Sequence, residues 1–209
     1  MALCLSLSER CADAGEHREA LRHYRRYHQL YAQQMEQRLA ALDAGANGVA
    51  LDPVTQLATR EVLRQQLPDM VSRAHAGSLC LSVMRIGLDA LQPARGLPSG
   101  LEPAVMGELG ALLRANSRSK DLPAAERELE MTLVLSDVEL SVARSICERL
   151  RRAVAHHDWA RLHPQLRVSL SIGLTALRGG EDAAQLLNRA DAGLAHARRD
   201  GGNCVRVGA

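Results

Sequence analysis

After residue 53 the chain alternates between two kinds of segment, and that alternation limits its fold more than any other feature. The stretches "SLCLSVMRI", "ELEMTLVLS" and "LRVSLSIGLTAL" are rich in Leu, Val and Ile with partial period two, the pattern of strands. Between them the pattern is helical. The spacing predicts helix over 57–74, strand over 79–86, helix over 102–116 and strand over 128–136. It then predicts helix over 138–155, strand over 167–176, helix over 181–198 and a short last strand over 203–207. Strands interleaved with helices make an α/β domain, a central sheet covered by helices. One join is tight: "SD" at 136–137 separates the second strand from its helix, with Asp137 as candidate N-cap.

Residues 6–44 read differently, as helix throughout, with no Pro and a single Gly at position 15. Leu21, Tyr24, Tyr27, Tyr31, Met35, Leu39 and Leu42 recur at steps of three and four and form one apolar stripe. Gly15 divides the stretch into a short helix, a turn and a long helix. The spacing of Ala12, Gly15, Ala20 and Tyr24 resembles the middle of a tetratricopeptide unit, where small residues let two helices pack closely. One such unit cannot bury its own face, so the segment is the end of a repeat array, a dimerising helix or a plain amphipathic helix. "DAGANGVALDP", 43–53, is a linker by its Gly, Asn and Pro. The expected organisation is a helical segment over 1–45 and a second domain over 46–209.

With 209 residues the chain can bury a sizeable core without disulfides or metal. It has no Phe, three Tyr and one Trp, so that core is aliphatic and stacking platforms for bases are nearly absent. This argues against a single-strand nucleic-acid binder. A net charge of +2 is too small to imply DNA or membrane attachment, although Lys120 is the only lysine beside many arginines. Cys4, Cys11, Cys80, Cys147 and Cys204 are odd in number and lack any CxxC pairing, which suits free thiols in a reducing cytosol. No run of about eighteen apolar residues is present to span a membrane. "MALCLSLS" lacks the basic region of a signal peptide, so a cytoplasmic location is expected.

Local strings sharpen the fold class. "DPVTQLATR" at 52–60 matches a D-x-L-T-G-L-x-N-R entry motif at Asp52, Thr55, Leu57 and Arg60, with Gln56 and Thr59 in place of Gly and Asn. Near the end, "VSLSIGLTAL" and "AAQLLNRADAGLAHARRDGGNCVRV" carry Ser171, Ile172, Gly173, Ala190, Asp191, Leu194, Ala197, Gly202 and Asn203 in an SIG strand and an AD-x-ALY-x-AK-x-x-GRN pattern. From about residue 51 onward the chain resembles the GGDEF domain, the diguanylate cyclase fold that makes cyclic di-GMP from two GTP. The resemblance implies a mixed, mainly antiparallel sheet flanked by helices, here preceded by a helical hairpin or long signalling helix.

The middle of the chain departs from that family. Its first strand ends in D-x-D-x-F-K-x-x-N-D, whose first Asp binds magnesium and whose Asn reads guanine. Here the run is "RIGLDALQPA", with Arg85 at the metal Asp, Gly87 at the second Asp, Ala90 at the Lys and Pro93 at the Asn. The hairpin motif reads "RELEM": Arg127 and Glu128 replace two glycines, Leu129 the Asp and Met131 the Phe, and Glu130 alone keeps its letter. Phosphoryl transfer from GTP needs carboxylate-held metal and a backbone able to approach the phosphates. An Arg at the metal position repels the ion, and side chains at the glycine positions fill the space. The expectation is a domain without cyclase activity, and no cofactor is implied.

One family feature is retained. Product inhibition in the family uses R-x-x-D five residues ahead of the hairpin motif, and Arg118 and Asp121 occupy those places with 122–126 as spacer. An Arg fork donates two hydrogen bonds to O6 and N7 of guanine, worth about 1–3 kcal/mol per good pair. Asp121 can accept from the same base. Cyclic di-GMP carries two guanines, so a second Arg, from elsewhere in the chain or from a partner subunit, is needed. The same four residues also suit a solvated turn.

Other candidates have structural readings. "HHDWARLH", with His156, His157, Asp158 and His163, lacks the i, i+4 His pair of a helical zinc site and reads as a capped helix end, with Trp159 a partly buried anchor. Gly201 and Gly202 supply positive φ before the last strand. Ser169 and Ser171 are assigned to strand packing. The function expected is a catalytically inactive regulatory module of cyclic di-GMP signalling, binding that nucleotide through Arg118 and Asp121. A nucleotide-independent scaffold that dimerises or docks on a cyclase or phosphodiesterase through its N-terminal helices is the alternative. An active cyclase with an unusual site stands third.

Overall fold

A computed structural model of the chain describes residues 50–89, 100–127 and 129–209. The expected helical segment over 1–45, and the positions Ala90, Pro93 and Glu128, lie outside the described residues. In chain order the elements are α1 (Arg60–Gly77), β1 (Leu81–Leu88), α2 (Glu102–Ala115), β2 (Leu122–Ala125), β3 (Glu130–Ser136), α3 (Leu140–Ala155), a 3-10 turn (Trp159–Arg161), β4 (Leu170–Ala176), α4 (Ala183–Arg199) and β5 (Val205–Val207). The strands form one sheet in the order β2-β3-β1-β4-β5. All neighbours are antiparallel except β4 and β5, so the sheet is mixed and mainly antiparallel, as expected.

Both faces of the sheet are covered. Met84, Ile86 and Leu88 of β1, Met131, Leu133 and Leu135 of β3, and Leu170, Ile172 and Leu174 of β4 join one core with Val105, Leu109 and Leu113 of α2 and Cys147, Leu150 and Val154 of α3. α1 and α4 pack on β1 and its neighbours as well. On the strands, the residues that alternate with those core positions are Val83, Arg85, Gly87, Thr132, Val134, Ser171, Gly173 and Thr175. Burial on two sides explains why the strands show only partial alternation: six of the seven residues of β4 are buried.

Helix ends follow local chemistry. Thr59 caps α1 by accepting from the Val62 amide, which starts the helix at Arg60 rather than at 57. Asp182 and Gln185 form a reciprocal capping box at the start of α4. Asp137 does not cap α3. It adopts φ 58°, its amide donates to the Cys80 carbonyl at 2.7 Å, and Glu139 is the N-cap residue. β2 has no counterpart in the sequence expectation, because "LPAA" is four residues long and contains a proline that cannot donate to a ladder. At a sheet edge that loss is tolerated.

Arg189 ties α4 to the end of β4 and to the turn between them. Its guanidinium donates to both Glu181 oxygens, at 2.6 and 2.7 Å, and to the Ala176 carbonyl at 2.5 Å. The Arg189 hydrogen bond holds the Glu181 carboxyl below its usual range. A depressed folded pKa means this stabilisation is complete above the unfolded value and is lost as the pH falls through the folded one. Thermal melts are therefore expected to show a steeper loss for the wild type than for Glu181→Gln below about pH 4.5. Parallel curves for the two proteins would contradict this assignment.

Candidate functional site

The site begins with Arg85 in the middle of the central strand. β3 places Thr132 on one side of it and β4 places Gly173 on the other. Gly173 presents no side chain, so α4 closes on the sheet and brings Asp191 over Arg85. The guanidinium donates from Nε to Asp191 Oδ1 at 2.5 Å, from Nη1 to Thr132 Oγ1 at 2.9 Å, and from Nη1 to Glu126. Thr132 Oγ1 donates in turn to Glu126 Oε1 at 3.0 Å, and Arg60 Nε lies 3.3 Å from Glu126 Oε2. The Arg85 side chain is 12% exposed and that of Glu126 is 5% exposed, so this pair is largely removed from water.

A second ion pair lies beside the first. Arg198 of α4 donates to Glu130 Oε1 at 2.7 Å, and its guanidinium occupies the space that a Cβ on Gly87 would need. Any side chain at Gly87 would displace Arg198. Leu129 packs partly buried against the core and Met131 is buried within it, while Arg127 is exposed. Of the sequence-predicted positions, Arg85, Arg127 and Glu130 therefore line one groove of about 570 Å³, together with Arg60, Glu126, Asp191 and Arg198, and Gly87 lies against Arg198. Glu126 was absent from the sequence expectation, since nothing in a five-residue spacer marks one residue as the partner of an Arg on another strand. Asp191 and Arg60 were visible only as motif letters.

Arg118 and Asp121 are elsewhere. The five-residue spacer contains β2, so the turn at 118–121 and the hairpin at 127–131 lie toward opposite ends of an edge strand, about 16 Å apart at 3.3 Å per residue. Asp121 Oδ2 accepts from the Arg118 amide at 2.8 Å and Oδ1 accepts from the Ser136 amide at 3.3 Å. The Arg118 residue is exposed. Asp121 borders an open groove of about 610 Å³, which Arg73 of α1 and Lys120 also line.

The remaining candidates resolve into structural parts. Ser169 and Ser171 donate to the Asp89 carboxylate at 2.7 and 2.5 Å, and the Asn203 amide donates to it at 2.9 Å. They tie β4 to the end of β1, which corrects the assignment of both serines to packing alone. Trp159 is fully buried rather than partly so, with Nε1 donating to the Val154 carbonyl at 2.7 Å. His156 bonds back to the Arg152 carbonyl, and His157 stacks edge-on against Trp159. Asp52 accepts from the amide and hydroxyl of Thr55, both at 2.8 Å, so the entry motif is a turn. Gln56 holds that turn at φ 56°, where the motif's Gly would be unstrained.

The sequence profile of the family described as "Diguanylate cyclase, GGDEF domain" matches residues 49–204. This chain belongs to the GGDEF family. Among relatives, the chain is 30% identical over 168 residues to the response regulator PleD of Caulobacter vibrioides, a match covering 78% of this chain and 37% of PleD. It is 30% identical over 159 residues to the diguanylate cyclase DgcP of Pseudomonas aeruginosa, covering 75% of this chain and 23% of DgcP. The matched region is thus a minor part of each relative's length. Two solved structures share the fold at a TM-score of 0.68. The GGDEF domain of DgcB from Caulobacter crescentus, in complex with c-di-GMP, is 20% identical, covering 76% of this chain and 92% of its own. The diguanylate cyclase SiaD of Pseudomonas aeruginosa, in complex with its activator SiaC, is 26% identical, covering 97% of this chain and 76% of its own.

Within this GGDEF domain, the chemistry at Arg85 is that of a closed ion-pair network. A divalent cation needs carboxylate oxygens with open lone pairs. Here the two nearest carboxylates already accept from a guanidinium, and the position between them is cationic. The donor set does not fit a magnesium ion. Among the described residues, no three acidic, His or Cys side chains are grouped to hold a metal, and no helix is long and apolar enough to cross a membrane.

Proposed function

We propose that this GGDEF domain is a catalytically inactive regulatory module of cyclic di-GMP signalling, and that Arg118 and Asp121 bind that nucleotide. The observation that carries the first half is the Arg85 guanidinium bonded to Glu126 and Asp191. Condensation of two GTP into cyclic di-GMP requires metal charge opposite the triphosphate, and Arg85 stands at the position where the family resemblance implies the metal-binding Asp. "RELEM" in place of the glycine hairpin supports the same reading.

The second half rests on placement. The 118–121 turn is separated from the Arg85 groove by the length of β2, so losing chemistry at one end leaves the other intact. Arg73 shares the groove beside Asp121 and supplies the second arginine that a two-guanine ligand requires. DgcB shows that a domain of this fold binds c-di-GMP. The N-terminal segment, whose sequence resembles a tetratricopeptide unit and signalling helix, would pass the bound state to a protein partner.

Titration calorimetry with cyclic di-GMP is expected to give saturable heat at tens of micromolar ligand, weakened about tenfold or more in Arg118→Ala. Arg73→Ala is expected to weaken it as well. Absence of heat, or binding unchanged in Arg118→Ala, would sink the receptor reading. Incubation with GTP and magnesium is expected to yield no cyclic di-GMP, and clear turnover would overturn the inactive reading.

A second reading, a nucleotide-independent scaffold, is favoured by one observation. Both Asp121 oxygens already accept backbone amides, which is what a purely structural turn requires. The same calorimetry separates the two, since a scaffold gives no heat with cyclic di-GMP.

A further inference from the structure

α3 buries Ala143, Cys147, Leu150 and Val154 against the sheet, and its opposite side is open to solvent. That outer side is unlike the rest of the domain in charge. Residues 140–167 carry six arginines against Glu148 and Asp158 alone, whereas the remaining described residues hold more acids than basic side chains. The fold therefore gathers positive charge that a net charge of +2 conceals. On α3 itself the only acid is Glu148, and Arg151 is bonded to it at 3.0 Å. Arg144, Arg149 and Arg152 are exposed and have no carboxylate partner among the described residues. Arg149 and Arg152 stand three apart, a like-charge spacing that weakens a helix standing alone. Neither a side-chain cap nor an acid strengthens its first turn.

The arginines share that face with aliphatic side chains. Val142, Ile146, Arg149 and Ala153 fall at i, i+4, i+7 and i+11, so they form one line along the helix. Val142 is 49% exposed, and Ile146 and Ala153 are half-buried. Small side chains between the arginines let a second helix approach closely, and the sixteen residues of α3 offer it about 24 Å of length. This mixture selects the partner. Membrane insertion and single-stranded nucleic acid call for large apolar or aromatic groups, which the face lacks, and a duplex backbone has no use for the line from Val142 to Ala153. Arginine beside aliphatic side chains is the make-up of a protein interface. A second copy of this chain is no match, because α3 against α3 opposes like charges and α1, α2 and α4 each mix arginines with their acids.

We propose that the outer face of α3 docks an acidic amphipathic helix of a partner protein, the aliphatic side of that helix on Val142, Ile146 and Ala153 and its carboxylates on Arg144, Arg149 and Arg152. The ion pairs set register and orientation, and the aliphatic line supplies the part of binding that salt does not screen. None of these residues lines the Arg85 groove or the groove beside Asp121, so the inference stands apart from the nucleotide reading.

The test is a titration of the full chain with a labelled synthetic helix of about twenty residues, leucines along one side and glutamates flanking them. Saturable binding below about 100 µM is expected, weakened severalfold but not abolished at about 0.5 M salt. A version with glutamine in place of glutamate should bind about tenfold more weakly. Arg149→Glu should weaken binding about tenfold with the melting temperature maintained, since an acid three residues before Arg152 supports the helix. Arg64→Glu makes the same charge change at an exposed arginine of α1 and should leave binding unchanged. Val142→Asp should weaken binding in low and high salt alike. No saturation, equal binding of the two peptides, equal effects of Arg149→Glu and Arg64→Glu, or unchanged binding in Val142→Asp would overturn the proposal. A short DNA duplex that binds more tightly than the acidic peptide would assign the face to a polyanion and overturn it as well.

Discussion

Arg85→Ala is expected to destabilise the domain by about 3–5 kcal/mol, the cost of leaving a buried charge without its partner. The Glu126 carboxylate, its side chain 5% exposed, would keep only the more distant Arg60 and the Thr132 hydroxyl, and Asp191 and Thr132 would lose their shared donor. For a domain of this size the melting temperature should fall by about 10 °C or more. Arg85→Met with Glu126→Gln should recover much of the loss, because the buried charge is then removed with its partner. Arg85→Asp restores the family letter but sets a third carboxylate beside Glu126 and Asp191, and should be the least stable single variant. Thermal or urea unfolding measures all of these. A loss under about 1 kcal/mol in Arg85→Ala would mean that the network behaves as a solvated surface cluster.

Gly173→Ala should cost about 3 kcal/mol, a large effect for one added methyl group. A Cβ at Gly173 would overlap the Ala190 carbonyl oxygen and the Leu194 amide, which are backbone atoms of α4 and cannot rotate aside. Gly193 of α4 faces Gly173 from the other side, so strand and helix meet glycine to glycine. To admit the methyl, α4 must lift from β4 and take Asp191 away from Arg85. Gly179→Ala is the control: its Cβ meets nothing within 4 Å, and its effect should lie within about 0.5 kcal/mol. Comparable melts for the two variants would contradict the close-contact account.

The order of elements was legible because helix and strand periods are written over runs of seven to eighteen residues, long enough for pattern to outweigh single letters. Boundaries were less so. The third strand was expected from 167, yet β4 begins at Leu170, because Leu166 and Val168 are buried without joining the ladder. β2 was missed because four residues with a proline carry no period; the edge strand exists by pairing with β3. Asp137 was read as a cap from its letter and its neighbour, but a left-handed residue bonded to Cys80 is a property of the join between β1 and β3.

The candidate site divides along the same line. Arg85, Gly87 and the "RELEM" hairpin could be picked out as departures from a motif, since motif letters sit at set intervals along one chain. What those departures do could not, because Glu126, Asp191 and Arg198 are 41, 106 and 68 residues from the groups they pair with. Local sequence carries the identity of an arginine and the strand it lies on. Whether that arginine repels a missing metal or closes a buried ion-pair network depends on which carboxylates the sheet and α4 bring to it, and long-range packing alone determines that.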